Sequence, residues 1–342
     1  MGGQIRVEPE DFQVDELPAY EACGEGEHLF IRVEKTDLST PEVAQLLSKA
    51  LRIGERNVSY AGLKDRRAVA RQTFCVPSRV EALLPSIAIP RVKILDWKRH
   101  RNKLRTGHLA GNRFRIRIRG VVDAAAGRAV LDRLRTTGLP NYFGPQRFGG
   151  AGDNAAAGKA LLRDPSPSPG ETEARSGQPS TEAHRGVDWF RRKLYLSAFQ
   201  SSLFNRALAE RIRRGTFARA LRGDVMRLES GALFVCEDVQ ADQARLERFE
   251  ISPAGPLFGP KMLPAAGEVA RAEEELLSEE GISIEDFRRG GGETQGGRRA
   301  YRLAVPGIEL SAQGADAWLE FELPKGSYAT VLLRELMDGD PR

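Results

Sequence analysis

The stretch from Asn57 to Val76, NVSYAGLKDRRAVARQTFCV, holds two strand patterns joined by a charged turn. Asn57 to Tyr60 reads as a short strand running into Ala61-Gly62, and Gln72 to Val76 reads as a second strand. Upstream, His28 to Lys35 (HLFIRVEK) has period-two character around Leu29, Ile31 and Val33. Ser39, Thr40 and Pro41 then open a helix that places Val43, Leu46, Leu47, Ala50 and Leu51 on one face, with Gly54 after its end. Downstream, Arg91 to Trp97 is a strand, and Asn112 to Arg119 (NRFRIRIR) alternates cleanly. Phe114, Ile116 and Ile118 face one way and four arginines the other, a half-buried strand with a basic outer face. Ala124 to Thr137 is helical by pattern, and Gly138-Leu139-Pro140 breaks it before the loop NYFGPQRFGG. Near the end, Trp318 to Leu323 (WLEFEL) alternates again and PKGSYATVLLREL turns into a helix. No repeat period is visible, so a solenoid is excluded. The expected class is α+β with mixed or antiparallel sheets.

Composition shifts after Gly150. Asp164 to Gly186 is rich in Pro, Ser, Gly and Glu and lacks large apolar side chains, which predicts a flexible surface loop. Gly290 to Gly297 (GGGETQGG) predicts a second one. Between them, Trp189 to Arg213 is a helix with Leu196, Phe199, Leu203, Ala207 and Leu208 on one stripe, the pattern of a core-facing helix. The 342 residues suggest two domains, taking roughly 150 residues per domain.

No apolar run is long enough for a membrane span, and MGGQIRVEPEDF lacks the basic start and apolar stretch of a leader. Cys23, Cys75 and Cys236 are odd in number and far apart, which predicts free thiols in a reducing cytoplasm rather than a disulfide framework. The four histidines show no ligand spacing, so no metal site is expected. Net charge is +5, but its distribution says more. From Arg91 to Arg119 there are eleven Lys and Arg against one acid, Asp96. Such a cluster is able to neutralise phosphates, and it also suits a solvated sheet face.

Phosphate loops, dinucleotide fingerprints, nucleophile elbows and zinc-protease motifs are all missing from the sequence. What remains is a cofactor-free reaction or none. The turn GLKDR places a carboxylate, Asp65, between Lys64 and Arg66-Arg67. Cations beside a carboxylate favour its ionised form, and a lone ionised Asp in a basic groove is able to act as a nucleophile. No second carboxylate pairs with it by spacing, which argues against simple glycoside hydrolysis. The same residues also fit an ordinary solvated turn. A methyltransferase would need a Gly-rich adenosylmethionine site after an early strand, and none is visible.

AGLKDRRAVARQ closely resembles a signature of TruD-type pseudouridine synthases, and NYFGPQRFG (Asn141 to Gly149) resembles their second signature, with Pro145 in the variable place. PEDFQVDEL, GEGEHLFIRV, KLRTGHLAGNRF, LSAFQSSLFNRALAERI and LPKGSYATVLLREL also resemble family blocks, in family order along nearly the whole chain.

The resemblance implies that a uridine of tRNA, at position 13 in the D arm, is isomerised to pseudouridine without cofactor or metal. The target nucleotide would be flipped from its stack. It implies Asp65 as nucleophile, compatible with attack on C1′ or a glycal-type path. Phe12, Asn112, Phe114 and Tyr328 match positions lining the uridine pocket, with Asn112 suited to the uracil edge and Phe114 to the base face. Phe12 and Phe114 equally suit a core. Tyr328 departs mildly from the Phe common there. Lys64, Arg66 and Arg147 are the candidates for supporting Asp65 or contacting phosphate. The implied architecture is a discontinuous catalytic domain (1–150 and 305–342) and an inserted α+β TRUD domain (151–304), with RNA in a basic cleft between them. No obligate protein partner and no membrane association are expected, and the loop 164–186 is not a family hallmark.

Overall fold

The computed structural model describes residues 1–150, 152–163, 182–289 and 294–337. The chain divides into two units, Met1–Arg135 with Val305–Arg342, and Thr136–Ala304.

The first unit is organised by one mixed sheet. Its strands are β1 (Phe12–Pro18), β2 (His28–Thr36), β3 (Ser59–Tyr60), β4 (Val69–Pro77), β5 (Val92–His100) and β6 (Leu109–Ile118), completed by β13 (Glu309–Gln313) and β14 (Asp316–Pro324) from the far end of the sequence. The order is β13-β14-β6-β1-β4-β2-β5, with β3 paired to β4. Only the β1–β4 pairing is parallel. This is the α+β arrangement with a mixed sheet that the patterns imply. The two strands flanking the charged turn, β3 and β4, lie side by side.

Helix α1 (Thr40–Ala50) starts where Ser39 caps it, with Glu42 closing a capping box. Its buried Val43, Ala44 and Leu47 pack with Leu29, Ile31 and Val33 of β2 and Phe74 and Val76 of β4 in one core cluster. Helix α2 (Ala124–Thr137) follows β6. Helix α8 (Ala329–Met337) follows β14 and buries Val331, Leu332, Leu333 and Leu336. The amino group of Met1 donates to the Leu336 carbonyl at 2.8 Å.

In the second unit β7 (Leu139–Pro140) pairs with β12 (Arg302–Leu303), and a four-stranded sheet runs β11-β10-β8-β9. These are β8 (Val225–Leu228), β9 (Leu233–Val235), β10 (Ile251–Leu257) and β11 (Gly297–Ala300). Helices α3 (Asn154–Arg163), α4 (Glu182–Arg213), α5 (Val239–Glu247), α6 (Gly267–Glu279) and α7 (Ile284–Arg289) complete it. The expected core stripe is in place, since Leu196, Phe199 and Leu203 of α4 pack with Phe258 and Phe287. A buried bidentate pair, Arg211 on Asp224 at 2.6 and 2.7 Å, ties α4 to the turn before β8.

Of the loop expected over 164–186, residues 164–181 lie outside the described residues, and 182–186 belong to α4, which starts at Glu182 rather than Trp189. Of the loop expected over 290–297, residues 290–293 lie outside the described residues, and Gly297 opens β11.

Candidate active site

The turn between β3 and β4 carries Asp65, whose side chain is 47% exposed and so open to a substrate. Beneath it the backbone is anchored by side chains from three elements. Thr40 Oγ1, at the start of α1, accepts the Lys64 N–H at 2.9 Å and donates to Gln72 Oε1 of β4 at 2.8 Å. Gln72 Nε2 donates to the Gly62 carbonyl at 3.4 Å. Lys35, at the end of β2 and fully buried, donates to the carbonyls of Asp65 and Leu38 at 2.7 and 2.6 Å.

The cation on Asp65 is Arg6, which none of the sequence patterns singles out. Its Nη2 donates to Asp65 Oδ2 at 3.0 Å, and its guanidinium lies over the Phe12 ring at 4.1 Å. Arg6 has φ of 56°, a left-handed conformation unusual for a side chain of this kind. Lys64 points elsewhere. Its Nζ meets Glu16 Oε2 of β1 at 2.5 Å, and both side chains are almost completely buried. Glu16 also accepts the Thr73 N–H through Oε1 at 3.2 Å. The buried ion pair explains the inward turn of Lys64: a lone buried charge is costly, and each partner here answers the other. Lys64 therefore supports the site through β1 rather than by touching Asp65. Arg66 is exposed and reaches Glu42 at 3.5 Å and Asp37 at 4.0 Å.

Three of the four expected pocket residues, Phe12, Asn112 and Phe114, lie on the paired strands β1 and β6. Glu16 stands opposite Asn112, and Val14 opposite Phe114. Phe12 is fully buried and meets Phe114 edge-on at 6.1 Å, while Phe114 stacks on Phe321 of β14 at 5.0 Å. Both rings are core residues, and with Arg6 above Phe12 they form an apolar floor. Asn112 carries a buried amide oxygen with no hydrogen-bond partner among the described residues. Next to it, Gly111 admits no side chain, because a Cβ there would stand 2.3 Å from the Leu323 carbonyl oxygen. Tyr328, half-buried, immediately precedes α8, and its carbonyl accepts the Val331 N–H at 3.1 Å. Arg147 belongs to the second unit. It is half-buried, donates to Ser201 Oγ at 3.2 Å, lies over Phe143 at 5.7 Å and has no carboxylate partner among the described residues.

The basic stretch is less cationic than its composition. Arg113, Arg115 and Arg117 of β6 pair across the strand with Glu322, Glu320 and Asp316 of β14. Arg119 binds Asp11 and Glu8, Arg91 binds Asp37, Arg99 binds Glu81 and Arg101 binds Glu25. Lys93, Lys98, Lys103 and Arg105 have no ion pair among the described residues. Among the described residues there is no group of three His, Cys, Asp or Glu side chains able to hold a metal, and no helix long and apolar enough to cross a membrane.

The comparisons with known proteins agree along the whole chain. The family model described as tRNA pseudouridine synthase D (TruD) matches residues 1–167 and 174–336. The tRNA pseudouridine synthase D of Anaeromyxobacter dehalogenans (strain 2CP-1 / ATCC BAA-258) is 48% identical over 342 residues, covering 99% of this chain and 94% of that one. That of Geotalea daltonii is 39% identical, covering 98% and 96%. A Methanosarcina mazei crystal structure assigned to tRNA pseudouridine synthase D (TruD) superposes with a TM-score of 0.77 at 28% identity, covering 99% of this chain and 94% of that one. A match of this extent includes both the GLKDR turn and the strands that hold it, and it establishes that the chain belongs to the TruD family of tRNA pseudouridine synthases.

Proposed function

We propose that this protein isomerises a uridine of tRNA, at position 13 in the D arm, to pseudouridine, with Asp65 as nucleophile on a flipped-out nucleotide. The observation that carries the reading is an exposed carboxylate on a turn anchored from below at Gly62, Lys64 and Asp65, with one guanidinium, Arg6, donating to it at 3.0 Å. Asp65 acts at C1′ as the bond to N1 breaks. The detached uracil rotates, C5 bonds to C1′ as the Asp65 carboxylate leaves that carbon, the C5 proton goes to solvent and N1 takes up a proton. Neither an oxidant nor a metal is needed for that balance. Phe12 and Phe114 supply the apolar floor and Asn112 the amide for the uracil edge, its free oxygen suiting a ring N–H. Tyr328 closes the pocket from the start of α8. The catalytic domain is 1–150 with 305–342, and 151–304 is the inserted TRUD domain. Arg66, Arg147 and the unpaired cations of the basic stretch contact phosphate.

The test is release of tritium from tRNA carrying 5-tritiated uridine. Asp65→Asn should abolish release and leave tRNA affinity within about threefold, since the carboxylate adds little to phosphate binding. Full activity in that variant would sink the assignment. The product tRNA should keep its mass, which separates isomerisation from methylation. Loss of the position-13 pseudouridine in a strain lacking the protein fixes the site.

A further inference from the structure

Asp65 is held in place by a buried cation that takes main-chain carbonyls as its hydrogen-bond partners. Lys35 is fully buried and forms no ion pair among the described residues. Burying an unpaired ammonium is costly, and the cost is met here by hydrogen bonds to two main-chain carbonyls. The neighbouring turn residues have other anchors, Thr40 for Lys64 and Gln72 for Gly62. Lys35 Nζ is the only hydrogen-bond partner of the Asp65 main chain among the described residues.

We propose that Lys35 is a positioning residue for this reaction: its ammonium bridges the carbonyls of Leu38 and Asp65 and so sets where the Asp65 carboxylate stands. The inference rests on the reading of Asp65 given above. The charged groups facing Lys35 are Asp65 and Lys64 on the turn, Asp37 beyond β2 and Glu42 on α1. Burial pulls the Lys35 ammonium down to about 8 from its ordinary 10.5, Lys64 acts in the same direction, and the three carboxylates oppose it.

Two pH dependences with opposite signs follow. As pH rises through about 8, the folded protein loses the Lys35 charge and the charge-assisted hold on the turn weakens, so turnover falls. The unfolded chain keeps its proton up to its ordinary value. Between about 8 and 10.5 the unfolded state therefore binds more protons, and the Lys35 contribution to stability rises with pH. A general alkaline loosening of the fold would lower both together.

The experiment measures single-turnover tritium release, tRNA affinity and urea stability for the wild type, Lys35→Met and Lys35→Arg between about pH 6 and 9.5. Lys35→Met should bind tRNA as the wild type does while turning over about 30-fold more slowly, about 2 kcal/mol at 1.36 kcal/mol per tenfold. Its residual rate should lack the alkaline fall, and the wild-type minus variant stability difference should grow with pH. Lys35→Arg, which keeps a charge that does not titrate here, should also lack the fall. Lys35→Met turning over at the wild-type rate, or losing tRNA affinity in step with rate, would overturn the proposal. If Lys35→Met does not fold, the wild type decides alone. A fall in release near pH 8 with unchanged tRNA binding supports the proposal, and a flat profile refutes it. No release from the wild type at any pH would instead remove the proposed function, a distinct result.

Discussion

Replacing Arg6 by glycine should uncouple stability from turnover. Arg6 sits at φ 56°, a conformation that costs an L-residue about 1–2 kcal/mol and glycine almost nothing. Against that relief stand three losses. The ion pair with Asp65 joins side chains 28% and 47% exposed, so solvent screening leaves it about 0.5–1 kcal/mol. The guanidinium over Phe12 at 4.1 Å is worth about 0.5–1 kcal/mol. Glycine adds backbone entropy to the unfolded chain, about 0.5–1 kcal/mol. The net change should lie between about 0.5 kcal/mol of stabilisation and about 2 kcal/mol of destabilisation, whereas turnover loses a charge-assisted hydrogen bond on the reacting carboxylate, about tenfold. Arg6→Ala is the control, because it loses the same contacts and keeps the strain. It should be less stable than Arg6→Gly by about 1 kcal/mol, the reverse of the usual order, with the same loss of turnover. Urea denaturation and tritium release read the two effects separately. If alanine proves the more stable replacement, the strain argument fails. If Arg6→Gly releases tritium at the wild-type rate, the pair with Asp65 plays no part in the reaction.

Lys64→Met should cost about 3–5 kcal/mol in urea denaturation, because it strands the buried Glu16 carboxylate, and adding Glu16→Leu should recover part of the loss. Thiol labelling of the native protein should modify Cys23 alone, with Cys75 and Cys236 reacting only after unfolding. Burial, then Asp242 beside it, pushes the Cys236 thiol up to about 12 from its ordinary 9.0. The folded state therefore holds that proton longer than the unfolded one, and stability should fall as pH rises from about 9 to 12. Cys236→Ala should flatten that part of a stability–pH curve.

Much of the first unit is legible because its strands bury one face. The alternation in β2, β6 and β14 is a direct print of the pleat, and α1 announces itself through Ser39, Pro41 and Glu42. Strand β1 is harder. Phe12 and Val14 alternate inward, yet Asp15 and Glu16 follow, and nothing local says that FQVDELP runs between β4 and β6. The turn around Asp65 is visible as a charged turn, but its charges misdirect. Lys64 reads as the natural partner of Asp65, and the partner it takes, Glu16, lies 48 residues away. Arg6 and Lys35 carry no pattern at all, since a left-handed arginine and a lysine at a strand end are ordinary in sequence. The compensation of β6 was open to detection. Arginines at alternate positions of NRFRIRIR match acids at Asp316, Glu320 and Glu322 in DAWLEFEL, and antiparallel pairing would bring them together.

The arginine ladder of β6 has a consequence for the order in which the protein is made. Glu322, the partner of Arg113, is 209 residues further along the chain. At about 5–20 residues per second, the ribosome needs about 10–40 s to deliver it. During that interval β6 is a nascent sheet margin with free main-chain donors and acceptors. A margin of this kind invites pairing with other chains, and three arginines at alternate positions, Arg113, Arg115 and Arg117, repel a second copy of the same strand. The late arrival of β14 replaces that repulsion with acid–base pairing of matching spacing. One set of side chains thus serves first as a guard against aggregation and then as a registration mark for the last strands to join the sheet.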